Sequence, residues 1–387
     1  MPDHASPWTT LPDAPETRDS GLDALRAGAM LLGVLFHAAV PHTATPLRRL
    51  VWAVSETEPS RLLDLLFWAI HVFRMPLFFF LSGYFSVPAL ARRRPASFLS
   101  ARLRRLGIPL LVPGLVVLVV LYYVWAAGWL LDGRCTLREI RAVVFADPAI
   151  RAGFLGSAHL WFLVDLLVVS FLWAGARVLG AKPRSGRGLV AACAAGSLAL
   201  MALAPGIATE FRNGFLPDPA RLAWHALFFA AGAALFDLEA SGRRQREARG
   251  RRPGVLAAAI AAPAFAAAYA LLPSVSAGTA TPLARLAFAL AWSAAAWGLV
   301  LALFAAARGR TGPAGPRRTL LVEASLWVYL VHVPIVGAIQ IALTRALPPV
   351  AVWALVSAGT YGASILSWLP LRRTALGGLL AWRRERR

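Results

Sequence analysis

Stretches of about 17 to 25 apolar residues recur along almost the whole chain, each long enough to cross a hydrocarbon core of roughly 30 Å as an α-helix. In lipid every backbone N–H and C=O must find its partner inside the spanning segment, so a chain patterned this way folds as a bundle of helices. Of its 387 residues 58% are apolar and only 15% charged. No polar segment is long enough to build a large aqueous domain. The net charge of +21 would suggest nucleic acid in a soluble protein. Its distribution points to the membrane instead.

Hydropathy predicts an all-α bundle of ten helices, at 22–40, 62–87, 107–130, 158–180, 188–205, 221–238, 254–272, 283–307, 320–343 and 350–370. Ser20 and Asp23 have capping-box spacing ahead of the first. The seventh is Ala-rich and interrupted by Pro263, so it needs neighbours to stay in the bilayer. Residues 1–21 are Pro-rich and acidic, without the basic-then-apolar order of a signal peptide, and are expected to be a mobile tail. Residues 22–370 form the membrane domain, and 371–387 a basic tail. Cys135 and Cys193 are too few for a disulfide framework.

Lys and Arg in short linkers are retained in the cytoplasm. Of the 40 basic residues, 27 fall in the termini and the even-numbered linkers, 11 in the opposite linkers and two, Arg74 and Arg177, within spans. Both termini are therefore expected in the cytoplasm. Arg177 can snorkel from the end of its span. Arg74 cannot.

An ionisable group at the centre of a spanning helix costs roughly 2.5 to 3.5 kcal/mol and needs a partner or a water-filled cavity. This chain has His37, His71, Arg74, Asp165, His225, Glu323 and His332 in spans. Arg26 and His37 are about three turns apart, hence within about 20° of one helix face and about 16 Å apart along it. His71 and Ser82 repeat that spacing, and Ser325, Tyr329 and His332 share a face of the ninth span. Three polar stripes could line one cavity. The blander readings are packing for His225 and Ser357, an ion pair with Asp165 for Arg74, and solvation near a surface for Asp64 and Glu323. For Arg92, Arg93 and Arg94, orientation of the chain is a sufficient role. Nucleotide-binding loops, zinc-ligand clusters, hydrolase elbows and dinucleotide fingerprints do not occur, so no metal or permanently bound cofactor is expected.

The segments GLDALRAGAMLLGVLFHAAVPH, HVFRMPLFFFLSGYF, ARLRRLGIPLLVP, HLWFLVDLL and ASLWVYLVHVPIV, in this order, resemble the membrane-bound acyltransferase 3 family, and within it the glucan biosynthesis protein C group that succinylates periplasmic glucans. The likeness covers spans one to four and nine. It implies a catalytic role for His37 together with Arg26. It implies an acyl-CoA donor site at the R-x-x-R pair Arg102 and Arg105, and matches at Leu81, Ser82, Gly83 and His332. Arg74 stands where the family often has an aromatic residue or His.

Chemistry is consistent with that implication. A thioester needs little activation, but a sugar hydroxyl needs a base to take its proton, and an imidazole suits that task. Paired guanidinium forks suit the phosphates of a cytoplasmic donor. The expected activity is transfer of an acetyl or succinyl group from acyl-CoA to a glycan outside the inner membrane of a bacterium. His37 is the expected base, Arg26, Arg102 and Arg105 hold the donor, and Arg74, His71, Ser82, His159, Asp165, Tyr329 and His332 are orienting or acceptor-side groups. The expected partners are acyl-CoA, glycan and lipid, without nucleic acid; an oligomer is possible. A proton-coupled transporter built on the same His and Arg residues is the alternative.

Overall fold

The computed structural model describes residues 19–54, 58–92, 94–180, 186–241, 252–310 and 315–381. The expected tail up to residue 18 and the basic runs at 181–185, 242–251 and 382–387 lie outside them. Among the described residues ten helices are long and apolar enough to cross a bilayer. They are α1 (Ser20–Ala39), α2 (Arg61–Ala91), α3 (Pro113–Leu131, preceded without a gap by turns from Pro95), α4 (Trp161–Val178), α5 (Gly186–Leu203), α6 (Pro219–Ser241), α7 (Arg252–Ala277), α8 (Pro282–Ala307), α9 (Pro316–Leu343) and α10 (Pro349–Leu371). Among the described residues the only β-pairing is an isolated bridge, Arg48 to Glu210.

The first helix starts differently from the expected capping box. Asp19 is the cap, its carboxylate accepting from the Gly21 and Leu22 N–H groups at 3.0 and 3.1 Å. Asp19 also accepts from Gly309 N at 2.7 Å, and Ser20 Oγ donates to the Arg310 carbonyl at 2.7 Å. Ser20 is drawn away from capping because it ties α1 to the end of α8. Asp23, the other half of the expected box, meets Arg26 at 3.1 Å. Beyond α10, residues 375–380 of the expected basic tail form a short helix with Leu380 buried.

Burial sorts the helices into two groups. The apolar windows of α2 and α9 are 61% buried and those of α5 and α7 only 17%, so the former are the centre and the latter face lipid. Around the centre, α1 packs on both α2 and α9, and α3 on α9. The helix α7 runs unbroken through Pro263 and Pro273, and α8 supports it. A Cβ at Gly298 would meet the Ala257 carbonyl oxygen and the Ala261 Cβ, both at 2.8 Å. Small residues let two backbones approach where lipid offers no hydrophobic drive.

The α2–α6 crossing is closer still. A Cβ on Gly83 would lie 1.9 Å from the Phe229 carbonyl oxygen, and one on Gly232 would lie 1.9 Å from that of Phe80. Gly83, part of the LSG segment, is thus a backbone-to-backbone contact.

Linkers at the end of the bundle opposite the termini fold inward. Trp125 and Trp129 donate to the carbonyls of Val51 and Trp52 at 3.2 and 2.8 Å, pinning the α1–α2 linker to α3. Asn213 joins the α5–α6 linker to the α3–α4 linker, donating to Gly153 O at 2.8 Å and accepting from Ala158 N at 2.9 Å. In the α3–α4 linker Glu139 accepts from Ala146 N, then from the Thr136 hydroxyl and N–H, which holds its carboxyl below the usual range. Asp64, expected to be solvated, is only 2% exposed. It accepts from Tyr269 Oη, Thr45 N and Trp68 Nε1 at 2.6, 3.0 and 3.2 Å. Glu323 is likewise buried, not wet. Both carboxylates were misplaced because hydropathy registers depth along a helix and is blind to neighbouring chain.

Candidate active site

A cavity of about 110 Å³ lies under the inward-folded linkers, and His37, His71, Arg74, His159 and Tyr329 all line it. Three helices, α1, α2 and α9, and the short turn Ala158–Leu160 ahead of α4 deliver them. The rest of the wall is largely aromatic, including Trp52, Tyr122, Trp125, Trp161 and Phe211, with Arg49 and Asn213 among its polar members. Of the three stripes read from spacing on α1, α2 and α9, only His37, His71 with Arg74, and Tyr329 reach the cavity, and His159, in the turn just ahead of α4, joins them.

Proline placement explains how the histidines are held. Pro334 has no N–H to give to the carbonyl four residues back, at Leu330. His159 Nε2 donates to that freed carbonyl at 2.9 Å. His159 is pinned a second time, because Tyr329 Oη donates to its backbone carbonyl at 2.6 Å. His332 Nδ1 faces the carbonyls of Tyr329 and Val328 at 2.7 and 3.1 Å. Carbonyls only accept, so Nδ1 carries the proton and a neutral His332 leaves Nε2 bare. His71 Nε2 is engaged in the same way by Ala208 O at 3.0 Å. The signal for this was present in the sequence as the run His332-Val333-Pro334.

Four of the unpaired buried nitrogens meet at this site. His37 Nδ1, Arg74 Nε, His159 Nδ1 and His332 Nε2 are all buried without a hydrogen-bond partner. The His332 ring centroid is 5.1 Å from that of His37 and 5.3 Å from that of His159. Trp52 lies parallel to the His37 ring at 5.7 Å. Gln340 holds that arrangement, accepting from Trp52 Nε1 at 2.7 Å and donating to Ala38 O at 3.0 Å. Neither Trp52 nor Gln340 was singled out in the sequence, since a linker Trp and an amide on a spanning helix carry no mark until they meet.

Two expectations are corrected. Arg74 makes no ion pair with Asp165. Asp165 is fully buried and faces His225 Nδ1 at 3.9 Å instead, and His225 stacks on Phe79 at 4.5 Å and Trp161 at 5.4 Å. The helical register turns Asp165 toward α6 and away from the cavity, whose lining does not include it. Nor does the lining include Ser82, which is buried three turns along α2 from His71, or Ser325, whose hydroxyl donates to Val322 O at 2.9 Å.

A second basic group sits toward the end that bears the termini. Arg102 donates to Ser86 Oγ at 2.6 Å, and the Arg26 guanidinium lies 5.7 Å from the Phe85 ring. Both therefore meet the same stretch of α2. Between Arg102 and Ile108 the chain makes a π-turn that contains Arg104 and Arg105, Arg104 exposed and Arg105 half-buried. Such a turn redirects side chains relative to a regular helix and recurs at functional sites. The cavity lining does not extend to Arg26, Arg102 or Arg105.

The sequence profile of a family described as an acyltransferase domain matches residues 19–369. Glucans biosynthesis protein C of Shigella dysenteriae serotype 1 (strain Sd197) is 35% identical over 168 residues, which cover 41% of this chain and 38% of that protein. The protein of the same name from Escherichia coli (strain SMS-3-5 / SECEC) is 32% identical over 162 residues, again 41% of this chain and 38% of the relative. The similarity thus spans well under half the length of these relatives. No solved structure matches the chain.

Proposed function

Because this chain belongs to the acyltransferase domain family, we propose that it moves an acetyl or succinyl group from cytoplasmic acyl-CoA to a hydroxyl of a periplasmic or cell-surface glycan. It is a multi-pass membrane acyltransferase. The bacterial inner membrane, with both termini in the cytoplasm, is the setting this reading gives it. The glycan acceptor rests on relatives named for glucan biosynthesis and on the aromatic wall of the cavity, which suits the apolar faces of sugar rings. A transporter would use the same ionisable groups, but membership of an acyltransferase family leaves that alternative without support.

The single observation that carries the reaction is the convergence of His37, His159 and Arg74 on the cavity, with His332 against the two imidazoles at 5.1 and 5.3 Å, each of the four with an unpaired nitrogen. His37 takes the proton of the acceptor hydroxyl as its oxygen attacks the thioester carbon, and returns it to the departing CoA thiolate. His332, with Nδ1 committed to backbone carbonyls, presents a bare nitrogen that can share that proton. Trp52 and Gln340 keep the His37 ring in place. Tyr329, His159 and His71 are its orienting neighbours. Ser82 and Asp165, outside the cavity, act on the positions of α2 and α4. At the other end Arg26, Arg102 and Arg105 hold donor phosphates. About 16 Å of α1 separates Arg26 from His37, a length that a pantetheine arm can cover.

The test is CoA release by membranes supplied with acyl-CoA and glucan. His37→Ala is expected to abolish it at normal expression, and Arg102→Ala/Arg105→Ala to raise the acyl-CoA concentration required. Full acyl transfer by the His37 variant would refute the assignment of the base, and an unchanged donor dependence would return the arginine pair to a role in orientation alone.

A further inference from the structure

Resting on the acyl-transfer reading, we propose that Arg74 is a catalytic residue for it. Its guanidinium receives the negative charge that develops on the acyl carbonyl oxygen when the acceptor attacks.

Arg74 lines the cavity, with Nε out of reach of solvent and without a partner. Among the described residues no carboxylate pairs with it; the acid nearest by sequence reasoning, Asp165, faces His225 Nδ1 at 3.9 Å instead. A guanidinium enclosed in a membrane bundle costs several kcal/mol unless paired, so its retention without an acid calls for an anion supplied by a ligand. The guanidinium is aimed, not loose. It lies 4.6 Å from the centre of the Phe36 ring, and its Nη1 packs on Gly33, where a Cβ would fall 2.6 Å from it and 3.3 Å from His332 Nε2. Gly33 is one helical turn before His37 on the same face of α1. The cation is therefore among the very imidazoles that would take and return the acceptor's proton.

That location favours a developing oxyanion over a fixed carboxylate at the far end of an acyl chain. In the step proposed, the hydroxyl oxygen bonds to the thioester carbon, its proton passes to imidazole, and the carbonyl π-pair moves onto oxygen beside Arg74. When that pair returns, the C–S bond breaks and the thiolate leaves with the proton. A donor fixed in place before the charge appears needs no reorganisation, which is how such groups accelerate acyl transfer.

The experiment compares Arg74→Met and Arg74→Lys with the wild type, purified in detergent, using acetyl-CoA and succinyl-CoA with glucan as acceptor and recording kcat, donor KM and thermal unfolding. Wild-type protein that releases no CoA in the presence of glucan would overturn the acyl-transfer reading itself. With an active wild type, Arg74→Met is expected to lower kcat about 10²- to 10³-fold with both donors, with donor KM changed less than about threefold. Arg74→Lys is expected to retain part of the rate. Thermal stability of Arg74→Met is expected to equal or exceed wild type, because an unpaired charge has been removed. Three results would overturn the proposal: an unchanged kcat; a loss confined to succinyl-CoA, which would make Arg74 a carboxylate site; or a fall in stability with normal kcat per folded molecule, which would make it structural.

Discussion

Replacing Gly33 by Ala adds one methyl group at the point where Arg74 and His332 approach α1. That methyl would stand 2.6 Å from Arg74 Nη1 and 3.3 Å from His332 Nε2. Ordinary contact between such atoms is about 3.5 Å, so the guanidinium must withdraw by about 1 Å. The obstacle is the far end of a flexible side chain, and it can yield without moving backbone. Alanine is also the better helix former, by about 1 kcal/mol. Stability is therefore expected to hold or rise slightly. Activity is not: a displacement of about 1 Å at a reacting group costs on the order of 10²-fold in rate. Gly28 lies on the same helix with nothing within 4 Å of its added Cβ, so Gly28→Ala controls for the change in helix propensity alone. The assay is CoA release with glucan, paired with thermal unfolding in detergent. The expected pattern is a roughly hundredfold loss for Gly33→Ala and wild-type turnover for Gly28→Ala. Full turnover in Gly33→Ala would refute the argument that Arg74 and His332 must sit against α1 for the reaction.

Other perturbations separate support of the fold from chemistry. Gly83→Ala places a methyl 1.9 Å from the Phe229 carbonyl oxygen; rigid backbone cannot give way, and a loss of about 3 kcal/mol or more is expected in unfolding, where a loss below about 1 kcal/mol would show that the α2–α6 crossing is loose. Asp64→Ala strands the hydrogen-bonding groups of Thr45, Trp68 and Tyr269 and is expected to cost about 3 kcal/mol by the same measurement, with an unchanged midpoint restoring the view that Asp64 is solvated. Gln340→Met removes the acceptor of Trp52 Nε1 and the donor to Ala38 O; a roughly tenfold fall in kcat and altered tryptophan fluorescence are expected, and normal kcat would exclude a positioning role.

Much of the site was readable because helical periodicity is local physics. His37 and Arg26, His71 and Arg74, Tyr329 and His332 fall on shared faces once the helices exist, and their cost in lipid marks them. The reading failed where a partner came from a distant part of the chain. Local hydropathy puts Asp64 in water, yet it is 2% exposed and bonded to Tyr269 across 205 residues. The first cap was placed on Ser20, which is held by Arg310 instead. Pairing Arg74 with Asp165 was reasonable by charge and fails by direction, since Asp165 looks toward His225.

A membrane bundle of ten helices, and most of the ionisable groups it encloses, can be read from the residues alone, because chain length, hydropathy and the 3.6-residue repeat act within single segments. Which of those groups meet is set by how the helices pack. That packing placed the carbonyl freed by Pro334 beside His159, stacked Trp52 on His37 through Gln340, and left Arg74 among imidazoles with no acid of its own among the described residues. Those outcomes depend on the rotation and closeness of packed helices, which single-glycine contacts set to a fraction of an ångström and which no local pattern encodes.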